Sequence, residues 1–314
     1  MSKKKPKYTA VGGQALIEGI MMRGKDKIAI TVRKSDGEMV TKVDSIKKNF
    51  LTSFAKIPVL RGIFGFIASM IIGIKALNYS AEFFDEGSEV EKGKIDLWVE
   101  KKFGDNSDKV FVAISMVFAL IITVLFFIVL PAFVSSLLNN LFTNNLALSL
   151  SEGVFKFGLF LGYIVLISKM KEIRRVFEYH GAEHKTIRCF EAGEELTPEN
   201  AEKFTRLHPR CGTSFLLIVV VLSIVMFAFL GNFGAPLHRA ALKLLFMPLV
   251  AGIAYEIIQY AGKHDNKFVD IVSWPGMMFQ KLTTAEPDRG QLEVAIAALK
   301  AVVDEEEVLE NEAH

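Results

Sequence analysis

Long apolar runs constrain the fold of this chain more than any other feature of its sequence. Residues 110–130 carry no charged side chain, and a helix of this length can cross the hydrocarbon core of a bilayer. Comparable runs cover residues 153–168, 215–230 and 240–261. Hydrophobic residues make up 51% of the 314 positions and are gathered into these runs, which is typical of a membrane protein. We therefore predict four transmembrane helices.

A fifth apolar stretch, residues 57–77, is interrupted by charge. Its uncharged core covers only residues 62–74, which is short for a spanning helix. The stretch is therefore expected to form a re-entrant or interfacial helix. The charged residues 78–109, with apolar side chains among lysines, are typical of a segment that lies on the membrane surface.

The distribution of Lys and Arg predicts the orientation. These residues are concentrated in residues 1–56 and 169–175, so the positive-inside rule places both termini and the central segment in the cytosol of a bacterial inner membrane. Four spans satisfy this rule only if residues 57–77 do not cross. Residues 1–56 carry a net charge of +8 and residues 285–314 one of −7. The two ends could attract each other, or meet anionic lipid and solvent separately.

The predicted fold is mainly α-helical, with a small cytosolic α+β cap built from both termini and the central segment. Strand-like runs at residues 28–33 and 39–43 flank Asp36-Gly37, a good hairpin signal. Residues 291–303 have helical periodicity and precede an acidic tail. The predicted segments are a cytosolic β-containing segment (1–56), a re-entrant and surface segment (57–109), two spans (110–168), a cytosolic His/Cys segment (169–212), two spans (213–262) and a cytosolic C-terminal segment (263–314).

The polar segment between the second and third spans contains three of the six histidines and both cysteines of the chain. If residues 172–187 are helical, His180 and His184 lie four positions apart on one face and can share a metal ion. Glu183 stands between them. The string fits the pattern H-x-x-E-H of inverted zinc peptidases, in which the glutamate activates water at the metal.

A second pair of candidate ligands follows in the same segment. His208 and Cys211 stand three positions apart beside a proline and resemble half of a zinc site. All four residues together would form a closed, structural zinc site, whereas three would leave a position for water and permit catalysis. The histidines could instead only form hydrogen bonds in a membrane-surface loop. Cys189 is a candidate extra ligand, or a small buried hydrophobe.

Four further residues are candidates outside this segment. Glu256 lies within the last span, where a carboxylate is a functional-site hypothesis or pairs with an arginine. Glu18 and Arg23 lie in a glycine-rich N-terminal segment, where the arginine could bind phosphate or be solvated. Asp288 has the position of a helix cap. The sequence has no basic and aromatic interleaving typical of nucleic-acid binding, so no nucleic-acid partner is expected.

Four strings of the sequence resemble one known family. They are GGQALIEGIMMRG at 12–24, YHGAEHK at 179–185, HPRCGTSF at 208–215 and EPDRGQLEVAIAAL at 286–299. Through them nearly the whole chain is similar to the YqhQ-like family of bacterial membrane proteins, whose members are often labelled predicted metal-dependent enzymes. The resemblance implies a polytopic membrane protein and agrees with a metal in the central segment. It also implies a composite cytosolic site that joins Glu18, Arg23 and Asp288 to the His/Cys segment.

The function expected from the sequence is a membrane-embedded, metal-dependent hydrolase. Zinc would be held by His180, His184 and His208, with Cys211 as a candidate fourth ligand. Glu183 would act as general base. The substrate would be a peptide or a lipid-linked group, and membrane lipid would surround the helices. One alternative is a scaffold with structural zinc that binds a partner membrane protein. The other is a small transporter that uses Glu256. A transporter with only four helices would need to form a homo-oligomer.

Overall fold

The chain is mainly α-helical, with one small antiparallel sheet near its N-terminus in a computed structural model. The fold class predicted from the sequence is therefore confirmed. The described residues fall into two compact units: Met1–Gly87, Tyr163–Val219 and Leu249–His314 belong to the first, and Ser88–Gly162 and Val220–Pro248 to the second. The structure describes residues 9, 11–46, 57–85, 98, 101–104, 107–138, 145–209, 211–230, 236–264 and 266–303.

The sheet contains four strands paired in chain order. Its last hairpin turns at the predicted Asp36-Gly37, where Gly37 has the positive φ of 90° that suits glycine. Its first hairpin was not predicted, because its turn residues Ile17 and Glu18 are not turn signals. Glu18 adopts a φ of 48° there. The strands are β1 (Gly12–Leu16), β2 (Gly19–Arg23), β3 (Lys27–Arg33) and β4 (Met39–Ser45).

Helices make up the rest of the described architecture. The last of them begins just before the predicted residues 291–303, and the acidic tail beyond residue 303 lies outside the described residues. The helices are α1 (Leu60–Asp85), α2 (Ser107–Val124), α3 (Leu130–Leu137), α4 (Asn145–Ile167), α5 (Lys171–Glu191), α6 (Pro198–Glu202), α7 (Gly212–Leu230), α8 (Pro236–Lys263), α9 (Lys267–Thr283) and α10 (Arg289–Lys300).

Among the described residues, five helical stretches are long and apolar enough to cross a membrane. They lie in α1, in α2 with α3, in α4, in α7 and in α8. Four of them coincide with the four predicted spans to within a few residues at most ends, although α4 begins at Asn145 rather than at residue 153. The fifth is α1, which covers the predicted re-entrant stretch.

Helix α1 contacts other helices with its first half and the sheet with its second half. Gly62 lies against Gly252 of α8, and the rings of Phe66 and Phe215 have centroids 5.2 Å apart. Ala76, further along α1, is buried in a cluster with sheet residues. A helix with only its first half in the membrane would have these two kinds of contact. By length and composition α1 could also span, so the re-entrant or interfacial helix over 57–77 stays a prediction.

The two faces of the sheet bury different partners in the first unit. Side chains of a strand alternate between faces, and Ile20, Met22 and Ala29 on one face pack with α5 and α10. Residues on the other face, such as Ile30, pack with α1. The sheet therefore lies between the membrane-type helix α1 on one side and the helix that carries His180 on the other. Residues 78–85 of the predicted surface segment belong to α1, and most of 86–106 lies outside the described residues.

In the second unit, the first long span contains a short π-helical stretch before Pro131. The stretch, Leu125–Val129, connects α2 to α3. The first span was predicted over residues 110–130, but the helix continues to Leu137, so the predicted end was too early. Pro131 cannot donate a backbone hydrogen bond to the preceding turn, and the π-helical stretch ends just before it.

The close approach of α1 and α8 gives a prediction about stability. A Cβ atom added at Gly62 would lie 2.8 Å from the carbonyl oxygen of Gly252, whereas one added at Gly65 would lie 3.7 Å from Tyr255. We expect Gly62→Ala to lower the free energy of unfolding by about 1–3 kcal/mol, because the backbones must separate. Gly65→Ala, the matched control, should be neutral or slightly stabilising, since alanine favours helix. Thermal unfolding in detergent measures both, and equal melting temperatures would contradict the close packing.

Candidate metal centre

Helix α5 carries the predicted pair of histidines and buries both. The imidazole rings of His180 and His184 have centroids 4.4 Å apart, as expected for positions i and i+4 on one helix face. Gly181 lies between them, where its lack of a side chain lets the carbonyl group of Ala285 approach the helix closely. A glycine is a poor residue for a helix interior, but here it allows the segment after α9 to pack against the site.

Cys211 completes a cluster of three potential metal ligands with these histidines. Its Sγ atom lies 3.1 Å from Nε2 of His180, and ligand atoms of the three buried residues all lie within 4.8 Å of one another. Cys211 immediately precedes α7. The fully buried amide of Gln280 holds the same connection, since it accepts the His208 N–H at 2.8 Å and donates to the His208 carbonyl at 2.7 Å.

Backbone carbonyl groups orient both imidazole rings toward the cysteine. Nδ1 of His180 lies 2.9 Å from the carbonyl oxygen of Thr283, and Nδ1 of His184 lies 2.6 Å from that of Arg206. Because a carbonyl oxygen only accepts, each Nδ1 carries the proton in the neutral ring, and each Nε2 lone pair points into the cluster. Carbonyl groups orient metal-binding histidines in this way.

The His184 ring supplies a direct test of whether these residues fit a metal ion. Its Nε2 atom is buried and has no hydrogen-bond partner in the described part of the chain. A buried, unpaired nitrogen is costly unless a ligand satisfies it. Two imidazole nitrogens and one thiolate form a donor set that suits a borderline metal such as zinc. The cluster could therefore hold a metal ion.

The electrostatics of the cluster favour the ligand forms of its residues. Burial lowers the pKa of His184, which keeps its imidazole neutral. Burial alone would raise the pKa of the Cys211 thiol, but the adjacent His184 and hydrogen bonds with Thr213 outweigh it, so this pKa lies below its usual value. The thiolate is the form of cysteine that binds metals.

Glu183 lies beside the cluster on the same helix. Burial raises the pKa of its carboxyl to about 7, against the opposing effects of His180 and of the Gly13 N–H that donates to it. A Cβ atom at Gly13 would lie 2.8 Å from the Glu183 carboxyl carbon, so the strand must be glycine there for the carboxylate to fit. The β1 edge therefore fixes the position of this side chain.

His208, the fourth predicted ligand, lies next to the cluster but outside it. Its ring centroid is 5.6 Å from that of His184, and its Nε2 lies 3.6 Å from a carboxylate oxygen of Glu191. Among the described residues, the groups whose donor atoms converge are His180, His184 and Cys211, without His208. Its role as a ligand stays a prediction.

A cavity of about 610 Å³ opens onto the cluster within the first unit. Its volume lies in the range of small-molecule sites. Arg23, at the end of β2, lines it together with Glu183, whereas Ile72 of α1 and Ile258 of α8 add apolar surface. Of the N-terminal candidates, the structure thus brings Arg23 to the same cavity as the cluster.

Glu18 and Asp288 have structural partners away from the cavity lining. The Glu18 carboxylate pairs with Arg175, with an oxygen 2.6 Å from its guanidinium, and accepts a hydrogen bond from Tyr179 at 3.2 Å. Asp288 caps α10 and forms a capping box with Gln291. The glutamate therefore fixes the β1–β2 turn against α5, and the aspartate begins the last helix, as its cap position in the sequence predicts.

Cys189 and Glu256 are also held by neighbours. Burial raises the pKa of Cys189 to about 12, and its thiol lies 3.5 Å from the carbonyl oxygen of Glu195, which matches a small buried hydrophobe. Glu256 accepts the Nε–H of Arg61 at 2.7 Å and the backbone N–H of Val59 at 3.1 Å. The carboxylate in the last span is thus paired with an arginine, the alternative that the sequence left open.

Sequence reasoning missed two sets of polar residues. Gln280 was not singled out, because nothing in its spacing marks it as a partner of a loop about seventy positions earlier. The second set lies in the second unit, where Lys243 forms a buried ion pair with Glu152 and Lys156 lies 3.1 Å from Ser223. Charged residues within apolar runs are the signal that could have found them.

Comparison with known proteins agrees with the resemblance seen in the sequence. The chain is 36% identical over 297 residues to Uncharacterized protein YqhQ of Bacillus subtilis (strain 168), which covers 94% of this chain and 92% of that protein. No solved structure matches the chain. Residues 57–305 match the family model described as Protein of unknown function (DUF1385). The match covers more than half of the chain, and the chain therefore belongs to the DUF1385 family, with YqhQ among its relatives.

Proposed function

We propose that this protein is a membrane-embedded, metal-dependent hydrolase that acts on a peptide or lipid-linked group at the cytosolic face. One observation carries the proposal: three buried ligands, His180, His184 and Cys211, converge without a fourth among the described residues, and a cavity is lined by two of them, His184 and Cys211. Three protein ligands and one open position are typical of catalytic zinc sites, whereas structural sites are closed by four.

The donor set supports zinc as the ion. Imidazole nitrogen and thiolate sulfur are its usual ligands in proteins. When bound, zinc supplies Lewis acidity that activates water and polarises a carbonyl or phosphoryl group. The chain contributes the orientation of both imidazole rings through the carbonyl groups of Thr283 and Arg206, and the position of the thiolate through the connection that Gln280 holds.

Glu183 is the proposed general base. Its carboxylate lines the cavity beside His184 and is held by the Gly13 N–H, so it can accept a proton from a water molecule that enters the cavity. The distribution of Lys and Arg supports a site on the cytosolic side, because these residues are concentrated in residues 1–56 and 169–175. The substrate would then enter from the inner leaflet or the cytosol.

Glu183→Gln tests this proposal. We expect the variant to bind zinc like the parent protein and to lose about 10²–10⁴-fold in hydrolysis, the usual contribution of a general base. The assay uses zinc-loaded protein in neutral detergent with nitrophenyl phosphate esters, nitrophenyl acyl esters and a quenched-fluorescent peptide pool. Zinc content per chain is measured on the same samples.

Glu178→Gln is the matched control, because Glu178 lies on the same helix and pairs with Arg174 away from the cavity lining. It should keep full activity. Turnover by the Glu183 variant equal to that of the control would contradict the proposed base. Hydrolysis that survives complete removal of zinc would contradict the metal-dependent mechanism itself.

The second candidate is a scaffold in which the metal only stabilises the cap and a partner membrane protein binds it. It is favoured by the burial of all three ligands, each 9% exposed or less. In that case zinc removal should unfold the first unit and no substrate should be turned over. Transport through Glu256 is less favoured, because this carboxylate is held by Arg61 and by the Val59 N–H.

A further inference from the structure

The cavity at the metal centre has two chemically different walls. One wall carries the polar groups of Glu183, His184 and Cys211. The other wall, the apolar part of the lining, includes Ile72 of α1 and Ile258 of α8, and both helices contain a stretch apolar enough for the membrane. A ligand that fits both walls has a polar head and an apolar portion.

Arg23 adds a positive charge to the polar wall. It stands opposite Gly12 in the β1–β2 register, so no neighbouring β1 side chain covers its guanidinium. Arg23 is half-buried as a residue and lines the cavity, and no ion pair or hydrogen bond of its side chain is found with any described residue. Guanidinium groups fit oxyanions in a bidentate manner.

Most other described arginines of the first unit have a carboxylate partner, and Arg188 donates to the carbonyl oxygen of Leu207 at 2.8 Å. Each of six pairs with a carboxylate of its own neighbourhood, whether it is exposed or half-buried. These are Arg33 with Glu293, Arg61 with Glu256, Arg174 with Glu178, Arg175 with Glu18, Arg206 with Glu286 and Arg289 with Glu202. Within the described residues, Arg23 faces the cavity without such a partner, which leaves its charge available to a ligand.

We propose that the cavity binds an amphiphile whose head group is an oxyanion, a phosphate or a carboxylate, held by Arg23. The head group lies between Arg23 and the cluster of His180, His184 and Cys211, and the apolar portion lies along α1 and α8. This inference rests on the proposed function, since it names the substrate class of the same site. It makes Arg23 a binding residue for the substrate and gives it no part in the proton transfer.

Calorimetric binding to the full chain in neutral maltoside detergent tests the inference. The probes are dihexanoyl phosphatidic acid, dihexanoylglycerol with the same tails and no charge, and inorganic phosphate, each added to zinc-loaded and to metal-stripped protein. We expect phosphatidic acid to bind more tightly than either other probe. Arg23→Gln should weaken this binding by about tenfold or more in both metal states, as for loss of a charged hydrogen bond.

Arg33→Gln is the matched control, because Arg33 is on the same sheet but pairs with Glu293. It should bind phosphatidic acid like the parent. Equal affinity of the parent and the Arg23 variant would overturn the assignment of Arg23, and tight binding of dihexanoylglycerol would overturn the oxyanion head group. Inorganic phosphate that binds as tightly as phosphatidic acid would overturn the amphiphile and leave a soluble anion.

These outcomes are separable from those of the hydrolase assay. Arg23-dependent binding without any turnover would support the anion site and count against the hydrolase. Metal-dependent turnover that Arg23→Gln leaves unchanged in both kcat and KM would support the hydrolase and overturn this inference. A raised KM with an unchanged kcat is the expected kinetic signature of a residue that only binds substrate.

Discussion

Replacing Cys211 by serine is expected to remove the metal ion from this protein. Cys211 supplies the anionic donor of the cluster, and its Sγ lies 3.1 Å from Nε2 of His180. Loss of groups that merely orient ligands costs about 10–100-fold in metal affinity, so loss of the thiolate should cost about a hundredfold or more. Zinc content per chain after dialysis, and competition with a chromogenic chelator, measure this change.

His208→Gln separates an open site from a closed one. If three residues hold the ion, this variant should retain about the zinc affinity of the parent, because His208 lies by Glu191 rather than in the cluster. An affinity loss as large as that of Cys211→Ser would show a fourth ligand and favour structural zinc. A parent protein without bound zinc, even when purified without chelators, would contradict both interpretations.

The folding of the stripped variants adds a second criterion. Far-ultraviolet circular dichroism and the melting temperature of Cys211→Ser report whether the first unit survives without metal. The two hydrophobic clusters on the sheet, which contain Leu16 and Leu299 fully buried, do not depend on the ion. We therefore expect helicity to be retained while metal binding is lost, which is the behaviour of a catalytic site on which the fold does not depend.

The part of this site that the sequence predicts is the part that depends on local spacing. His180 and His184 stand four positions apart in a helical segment, and helix geometry alone places them on one face. Cys211 was singled out by its spacing from His208. Which of these two reaches the histidine pair depends on the path of the connection, and that path is fixed by Gln280 from another helix.

The orientation of the imidazole rings could not be predicted, for a related reason. The acceptors at Thr283 and Arg206 are backbone carbonyl groups, and every residue has one. No residue type marks the two that are used. The same holds for Gly13 in β1. Its role is to leave space for the Glu183 carboxylate, and this role depends on the packing of β1 against α5, which the sequence does not show.

The fold was predictable where hydropathy is uniform and was not where single charges interrupt it. The uniform run in α7 was identified, whereas Glu152, Lys156 and Lys243 each stand alone among apolar residues. A hydropathy average over a window of residues hides one charge. Their association requires contacts among α4, α7 and α8, which the sequence does not show.

The buried pair of Glu152 and Lys243 in the second unit gives the second large effect. The side chains are only 7% and 13% exposed, and Oε2 of Glu152 has no hydrogen-bond partner in the described part of the chain. Lys243→Met would remove the ion-pair partner of this buried carboxylate and leave Lys156 as the remaining cation near it. Breaking a buried pair on one side costs about 3–5 kcal/mol, and we expect a loss of that size in the free energy of unfolding.

Removing both charges should restore much of the loss, because the cost lies in the stranded charge and not in the absent attraction. The double variant Glu152→Gln with Lys243→Met is therefore expected to be more stable than Lys243→Met alone. Lys156→Met should have a smaller effect, since Lys156 lies by the Ser223 hydroxyl at 3.1 Å. Unfolding in mixed micelles with increasing dodecyl sulfate measures all three. A Lys243→Met variant as stable as the parent would contradict the expected cost and would show that Lys243 is not needed to compensate Glu152, which also has Lys156 nearby.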